Sequence, residues 1–248
     1  MTTLNLDNIA IVLVETITPG NIGAVARAMK NMGISDLRLV NPKRDHLSED
    51  ARKLAHGAID MLESSTVFSC IDDAVSDCST VLATSHDTVR YKIEGYSVRE
   101  IGKVLIPYCA TNKVAILFGR EDIGLHNEEI KKCSFLINIP TFRDYPAINL
   151  SKAVMLVCYE FFMTTKIKYE STNHPELIDN EKMENFYSVV LRMIDSAGFR
   201  HKNNDSSIFM GSLRRIFGRT GLEEHEMAVL IKLFSQFTYA EKRHNNGK

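Results

Sequence analysis

The sequence predicts an α/β fold, in which a parallel sheet is covered by helices on both faces and is followed by a small all-helical domain. Short apolar segments alternate with amphipathic segments from the start of the chain to about residue 165. These short segments are almost continuously apolar, as is typical of strands that are buried on both faces. After about residue 180 the pattern is helical throughout.

Five strands are predicted from the apolar runs: Ile9–Val14, Leu37–Val40, Thr80–Ala83, Val114–Phe118 and Phe135–Ile139. Ligands of parallel sheets bind beyond the carboxyl ends of the strands. We therefore expect a functional site in the loops that follow the first, third, fourth and fifth of these strands.

The chain divides into a main domain at 1–167, a polar linker at 168–180 and a helical extension at 181–248. Serine, threonine, asparagine, histidine and proline residues interrupt the apolar pattern in the linker. In the extension, glycines at helix ends help to define three predicted helices: Met183–Ala197, Ile208–Phe217 and Glu223–Tyr239.

Composition excludes several classes of protein. The net charge is −1, with 44% hydrophobic and 25% charged residues, so any nucleic-acid contact must depend on local positive charge. The five cysteines include no C-x-x-C pair, which favours reduced thiols and a cytoplasmic location. No apolar run approaches the roughly 20 residues of a membrane span. The eight histidines show no ligand spacing, so no metal site is expected.

The first informative segment, Thr18–Lys30, places a helix start directly after a strand. Asn21 is expected to cap this helix, whose free amides and dipole attract a negatively charged partner. Arg27 lies on the polar side of the helix, with Gly23 one turn earlier on that side. Arg27 is either a solvated surface residue or a ligand of that partner. The opposite face is apolar and serves the core or an interface; it comprises Ile22, Val25 and Met29.

The second segment, Leu117–Leu125, runs from a strand into a loop bracketed by glycines. Gly119 allows the backbone to approach a ligand, and Glu121 offers a carboxylate that is either functional or an ordinary loop residue. A phosphate-binding P-loop is excluded, because Leu125 and His126 stand where lysine and serine or threonine are required. No G-x-G-x-x-G follows the first strand, so a Rossmann dinucleotide site is not supported either.

In the third segment, Ile137–Val154, a strand ends at Pro140 and a second helix follows a loop. Asn149 stands at the expected N-cap of that helix, where a plain capping role is worth about 1 kcal/mol. A functional role for Asn149 requires that other functional side chains lie near it in the folded chain.

Together these segments resemble the SpoU/TrmH branch of the SPOUT RNA 2'-O-ribose methyltransferases. The family motif N-x-G-x-x-x-R matches Asn21, Gly23 and Arg27, and F-G-x-E-x-x-G-L matches Phe118–Leu125. Its third motif, I-P followed by L-N-x-S-x-A, matches Ile139–Ala153 with Ile148 in place of the leucine. In the extension, Ala197–Phe199 and Leu213–Phe217 resemble the members that methylate nucleotide 32 of tRNA.

The resemblance implies a C-terminal trefoil knot, a homodimer and S-adenosylmethionine as methyl donor, bound in the knot near the subunit interface. It also implies that the arginine of the first motif, here Arg27, is contributed from across that interface. The implied substrate is tRNA, at C or U in position 32 of the anticodon loop. Ribosomal RNA is an alternative substrate, and a catalytically silent RNA-binding protein is an alternative of another class.

The resemblance also implies roles for residues. The implied catalytic residues are Arg27, Asn21, Glu121 and Asn149. Those that would bind the donor are Thr84, Ser85, His86, Gly119, Ile139, Pro146, Ala147 and Ile148. Those that would bind RNA are Arg27, Arg90, Arg200, Lys202, Arg214, Arg215 and Arg219. Ala147 departs from the family, which usually has serine there, and Asp87 and Val89 replace arginines.

The roles of the catalytic residues follow from the chemistry. An arginine has no acceptor and stays protonated, so we expect Arg27 to bind the adjacent phosphate and stabilise the developing 2'-oxyanion, rather than to act as the base. Glu121 is expected to orient Arg27. Asn21 and Asn149 are expected to fix the ribose or the neighbouring loop.

Overall fold

A computed structural model describes residues 4–87, 90–166, 176–196 and 206–245. The predicted roles of Val89, Arg200 and Lys202, and the resemblance at Ala197–Phe199, fall outside the described residues.

The described residues contain a seven-stranded sheet in which every pairing is parallel, as predicted. In chain order the strands are β1 Ile9–Val14, β2 Asp36–Val40, β3 Thr66–Phe68, β4 Thr80–Thr84, β5 Glu94–Ser97, β6 Val114–Phe118 and β7 Phe135–Asn138. Their order in the sheet is β3-β2-β1-β6-β4-β7-β5. The central strands are the five that the apolar pattern predicts.

The sequence did not predict β3 and β5, the two edge strands. β3 has three residues and β5 contains Glu94 and Gly95, so neither has the apolar run of a buried strand. β5 exists because its backbone pairs with β7, from Glu94 opposite Phe135 to Ser97 opposite Asn138. Such pairing is decided by the neighbouring strand rather than by local sequence.

Helices cover both faces of the sheet, as predicted. Those of the main domain are α1 Pro19–Asn31, α2 Glu49–Ala55, α3 Ile59–Glu63, α4 Ile71–Ala74, α5 Val98–Cys109, α6 Asn127–Lys131 and α7 Leu150–Thr164. Alternate residues of β1 enter two separate cores. Ile9, Ile11 and Leu13 pack with α1, α2, α5 and α7. Ala10, Val12 and Val14 pack with α4 and α6.

The start of α1 differs from the prediction in two respects. Thr18, not Asn21, is the N-cap, because Pro19 occupies the first helical position. Gly23 is buried rather than on an open polar face: a Cβ there would lie 2.0 Å from the carbonyl oxygen of Ala51 in α2. The apolar residues Ile22, Val25 and Met29 are all at most 1% exposed, so they belong to the core of this chain.

The extension contains α8 Asn180–Ser196, α9 Ser206–Thr220 and α10 Glu224–Asn245, close to the three predicted helices. They share a core of their own, which includes Phe186, Val190 and Leu213. The described end of the predicted linker is not solvated, because Leu177 and Ile178 are buried. The domain boundaries themselves stay a prediction.

The extension is fixed to the main domain by hydrogen bonds. The Asn180 amide donates to the carbonyl of Cys78 at 2.6 Å, and the Tyr108 hydroxyl donates to the carbonyl of Arg219 at 3.1 Å. Across the described ranges no helix is long and apolar enough to cross a membrane, and no acidic, histidine or cysteine cluster could hold a metal ion.

Candidate active site

A cleft of about 450 Å³ opens at the carboxyl edge of the sheet, where the resemblance implied a site. Its walls are the loops after β4, β6 and β7 together with the start of α7. All eight residues expected to bind the donor line this cleft: Thr84, Ser85, His86, Gly119, Ile139, Pro146, Ala147 and Ile148. Residues from three separate segments of the chain therefore meet in one cavity.

The loop after β4 is held by hydrogen bonds from its neighbours. The Thr84 hydroxyl donates to the carbonyl of Leu117 at 2.9 Å. The side-chain amide of Asn138 donates to the carbonyls of Ser85 and His86, at 3.2 and 3.1 Å. Asn138 therefore positions this loop; nothing in the sequence indicated this role, although Asn138 lies within the third segment, directly before the motif.

The loop after β6 turns back on itself within six residues. The backbones of Arg120 and Gly124 exchange two hydrogen bonds, at 3.1 and 2.9 Å, and Gly124 has a positive φ of 70°. A Cβ on Gly119 would lie 2.1 Å from the carbonyl carbon of Gly124. The glycines at both ends of this motif are therefore required by the loop itself, which forms one wall of the cleft.

Arg120, in the same loop, is the centre of an ionic network that sequence reasoning missed. Its Nε lies 2.7 Å from Glu15, and its terminal nitrogens lie 3.0 Å from Glu129. Hydrogen bonds from Lys43, which contributes most, and from Arg120 lower the pKa of Glu15 to about 2. Only Arg120 carried a signal in the sequence, as a charged residue inside a recognised motif. Glu15 is 105 positions away from Arg120 and Glu129 is nine positions away, and both lie outside the recognised motifs.

The side chain of Glu121, in the loop after β6, binds the start of α1. Its carboxylate accepts hydrogen bonds from the amides of Ile17 and Thr18, at 2.9 and 3.0 Å, and from the side chain of Asn21 at 2.9 Å. Burial acts to raise the pKa of Glu121, but these hydrogen bonds outweigh it and the pKa is lowered. The anion that this helix start attracts is thus a carboxylate of the same chain.

Asn149 joins the same network. Its side-chain oxygen accepts from the amide and the hydroxyl of Ser151, at 3.0 and 2.8 Å, which confirms it as the N-cap of α7. Its side-chain nitrogen donates to the side-chain oxygen of Asn21 at 3.2 Å. Glu121, Asn21 and Asn149, one from each motif, therefore form a continuous hydrogen-bonded chain.

Arg27 is exposed on α1, as predicted. Among the described residues it has no hydrogen-bond or ion-pair partner, and it does not line the cleft of its own chain. Within this chain the Glu121 carboxylate is bound by the start of α1 rather than by Arg27, and its expected role in orienting Arg27 stays a prediction.

The expected RNA-binding residues fall into three groups. Arg90 is exposed at the mouth of the cleft. Arg215 and Arg219 lie along one side of α9 and line a second cavity. Arg214, in contrast, forms a bidentate ion pair with Glu184 and stacks over the ring of Tyr187 at 4.3 Å. The guanidinium of Arg214 is therefore already engaged inside the extension, and its expected RNA contact stays a prediction.

Comparison with known proteins decides the family. The model of the SpoU rRNA Methylase family matches residues 8–159. The chain belongs to this family. The match contains the whole cleft and all three motifs.

Similar proteins extend the comparison over the helical extension. A tRNA (cytidine/uridine/adenosine-2'-O-)-methyltransferase TrmJ from Pseudomonas aeruginosa is 38% identical, covering 93% of this chain and 94% of its own. TrmJ of Escherichia coli K12, named a tRNA (cytidine/uridine-2'-O-)-methyltransferase, is 36% identical over 96% and 98% of the two chains. The crystal structure of TrmJ from Z. mobilis ZM4 superposes with a TM-score of 0.78 at 27% identity, over 92% of this chain and 97% of that chain.

Proposed function

We propose that this SpoU-family protein is an S-adenosylmethionine-dependent tRNA 2'-O-ribose methyltransferase that acts on C or U at position 32 of the anticodon loop. One observation carries the proposal: the eight implied donor-binding residues line one cleft, beside a network that links all three motifs. The names of the TrmJ relatives, which match along the extension as well as the main domain, support tRNA as the substrate. A tRNA substrate and reduced cysteines support a cytoplasmic location.

The cleft fits the donor by size and by lining. Sites for small molecules usually occupy about 300–1,000 Å³, and this cleft has about 450 Å³. Its apolar side chains, which include Ile137, Ile139 and Leu125, suit an adenine ring and a thioether chain. Backbone groups of the loops suit the polar ends of the molecule. Ala147 contributes only backbone and a methyl group, so the fit does not depend on the serine that the family usually has.

S-adenosylmethionine supplies a methyl group on a sulfonium, which is already activated for displacement. The protein must then align the ribose 2'-oxygen with that carbon and favour loss of the hydroxyl proton, and alignment alone can contribute about 7–11 kcal/mol. The network of Glu121, Asn21 and Asn149 holds the start of α1 and the start of α7 in a fixed relation beside the cleft. Arg27 stabilises the developing 2'-oxyanion and binds the adjacent phosphate.

The homodimer that the resemblance implies, with the arginine of the first motif contributed from across the interface, is consistent with the position of Arg27. Because Arg27 is exposed and lies outside the cleft of its own chain, it is available to the cleft of a second copy. α7 offers an apolar surface for that copy: Leu156, Tyr159 and Met163 share one face and are 42–44% exposed. The loop before α7 adds Phe142 and Tyr145, both about 75% exposed. The implied trefoil knot would place this loop and the donor site at the same interface.

Methyl transfer from labelled S-adenosylmethionine tests the function. Unmodified tRNA and ribosomal RNA are assayed separately, and the products are digested and analysed by mass spectrometry. We expect 2'-O-methylated C or U at position 32 of tRNA. Label found only in ribosomal RNA would support the methyl-transfer reaction but would make ribosomal RNA, not tRNA, the substrate. Protein that binds RNA but transfers no methyl group to either would favour the catalytically silent alternative.

A further inference from the structure

A second cavity, of about 280 Å³, lies where α9 of the extension meets the main domain. Lys92, Ile93, Glu94 and Ser134 line it from the main domain, and Arg215 and Arg219 line it from α9. It therefore depends on both parts of the chain.

This cavity lies at the opposite edge of the sheet from the donor cleft. Ser134 comes directly before β7, and Glu94 is the first residue of β5, so the cavity is at the amino ends of these strands. The donor cleft is at the carboxyl end of β7. The four residues of β7 separate the two edges by about 13 Å. A ligand bound in this cavity is therefore a different molecule from the methyl donor bound in the donor cleft.

The cavity has an excess of unpaired positive charge. Lys92, Arg215 and Arg219 form no ion pair within the described parts of the chain. Glu94 is the one carboxylate in the lining, and it accepts a hydrogen bond from the hydroxyl of Tyr96. Cations gathered around a cavity repel one another, so the arrangement favours an anionic ligand.

The donors are held in place. One terminal nitrogen of Arg215 donates to the Ser212 hydroxyl at 2.8 Å, and Nε of Arg219 donates to the carbonyl of Arg215 at 3.1 Å. These bonds leave other N–H groups of both guanidinium groups available. The carbonyl of Arg219 accepts a hydrogen bond from the Tyr108 hydroxyl, and Gly218 lies beside Ser134, where an added Cβ would make an ordinary contact at 3.4 Å.

We propose that this cavity binds a phosphate of the RNA backbone, held by Lys92, Arg219 and Arg215 at a distance from the methylated nucleotide. Guanidinium groups bind phosphate with paired hydrogen bonds, and contacts of this kind set the position of RNA without reading its sequence. The proposal rests on the proposed function. It extends the RNA surface from the extension onto the main domain, at the place where hydrogen bonds join the two parts.

Binding of unmodified tRNA, measured by fluorescence anisotropy at several salt concentrations, tests the proposal. Lys92→Ala, Arg219→Ala and the double variant are compared with Arg192→Ala, which removes one exposed cation of α8 away from the cavity. The slope of log affinity against log salt is negative, and loss of one phosphate contact makes it less steep by about 0.7–0.9. We expect this change in each cavity variant. The double variant should change little further, because both cations hold the same phosphate. Arg192→Ala should be close to wild type.

Equal slopes in the cavity variants, Arg192→Ala and the wild type would overturn the proposal. Fully additive losses would also overturn it, since they would indicate separate contacts rather than one phosphate. Unfolding temperatures and calorimetric binding of S-adenosylmethionine show whether each variant is folded.

Two further results separate related explanations. Saturable stabilisation of the wild type by inorganic phosphate or ADP at micromolar concentration, lost in Arg219→Ala, would assign the cavity to a free ligand instead of RNA. If wild-type protein methylates tRNA while the cavity variants bind it normally, only this inference fails. If the wild type neither binds nor methylates RNA, the proposed function fails with it.

Discussion

The carboxylate of Glu121 lies 2.9 Å from the side-chain nitrogen of Asn21, although 100 positions of sequence separate the two residues. The same carboxylate accepts hydrogen bonds from the backbone amides of Ile17 and Thr18. Glu121 therefore ties the loop of the second motif to the helix start of the first. Its main structural effect is to hold Asn21, which in turn contacts Asn149 of the third motif.

Glu121→Gln should weaken this junction. The amide keeps one acceptor oxygen but loses the charge that strengthens three hydrogen bonds, and its NH₂ group faces donors. We expect the free energy of unfolding to fall by about 1–2 kcal/mol, with a larger loss in methyl-transfer rate. Urea unfolding and single-turnover methyl transfer measure the two effects. Glu128→Gln, at a side chain that is 79% exposed, is the matched control. Equal behaviour of the two variants would contradict the role of Glu121.

Gly119→Ala should damage the cleft. The added Cβ would lie 2.1 and 2.2 Å from backbone atoms of Gly124 and Leu125, so the loop has to open. A displacement of about 1 Å near a reacting centre can cost roughly 100-fold in rate. We expect weaker binding of S-adenosylmethionine by calorimetry and a comparable loss of transfer. Gly57→Ala is the control, because a Cβ there meets no atom within 4 Å. Normal donor binding by Gly119→Ala would show that the loop does not form the donor site.

The ionic network around Glu15 should make stability depend on pH. Its pKa is lowered from 4.5 to about 2, so the folded state holds the charged form more strongly than the unfolded state does. This contribution is fully present above pH 4.5 and is lost as pH falls towards 2. We expect Glu15→Gln to cost about 1–2 kcal/mol at pH 7 and less at pH 3. Urea unfolding between pH 7 and 3 measures this. A cost independent of pH would contradict the ionic explanation.

Arg27→Lys should separate charge from geometry. Lysine keeps the positive charge but cannot make the paired contacts of a guanidinium. Loss of one donor to a developing oxyanion typically costs about 100- to 1,000-fold, and we expect a decrease of this order in turnover. Binding of S-adenosylmethionine should not change. Arg99→Lys, at a side chain that is 84% exposed on α5, is the control. Near-normal turnover of Arg27→Lys would exclude the bidentate role.

Mixed forms of the proposed homodimer decide which cleft Arg27 serves. Subunits carrying Arg27→Ala are combined with subunits carrying Gly119→Ala. If Arg27 acts on the cleft of the partner, one of the two sites contains both wild-type residues and activity returns. If Arg27 acts on the cleft of its own chain, every site is defective and the mixture stays inactive.

Leu156→Glu should disrupt the proposed dimer, because it places a charge in the exposed apolar face of α7. We expect light scattering to change from dimer to monomer, with loss of methyl transfer. Val229→Glu, at a residue 63% exposed on α10, introduces the same charge elsewhere and should leave the dimer intact. A wild-type monomer that is fully active would overturn the proposed assembly.

Much of the fold could be predicted from local sequence. Ile9–Val14 and Val114–Phe118 are continuous apolar runs, and their burial follows from their composition whatever lies beside them. The edge strand Glu94–Ser97 has no such run and is formed by pairing with β7. The N-cap at Asn149 was predictable because capping depends on a residue and the amides directly after it.

The sequence by itself determined the α/β class, the five central strands and the three motifs, and through the family resemblance it indicated eight of the residues that line the cleft. Only the tertiary structure decided how those residues are used. It paired Glu121 with the start of α1 instead of Arg27, buried Gly23 against α2, enclosed Arg214 with Glu184 and placed Arg120 between Glu15 and Glu129. The physical reason is the separation along the chain between the residues that interact. Apolar runs and capping are set by residues a few positions apart, whereas ion pairs and close backbone contacts depend on distances that exist only after the chain has folded.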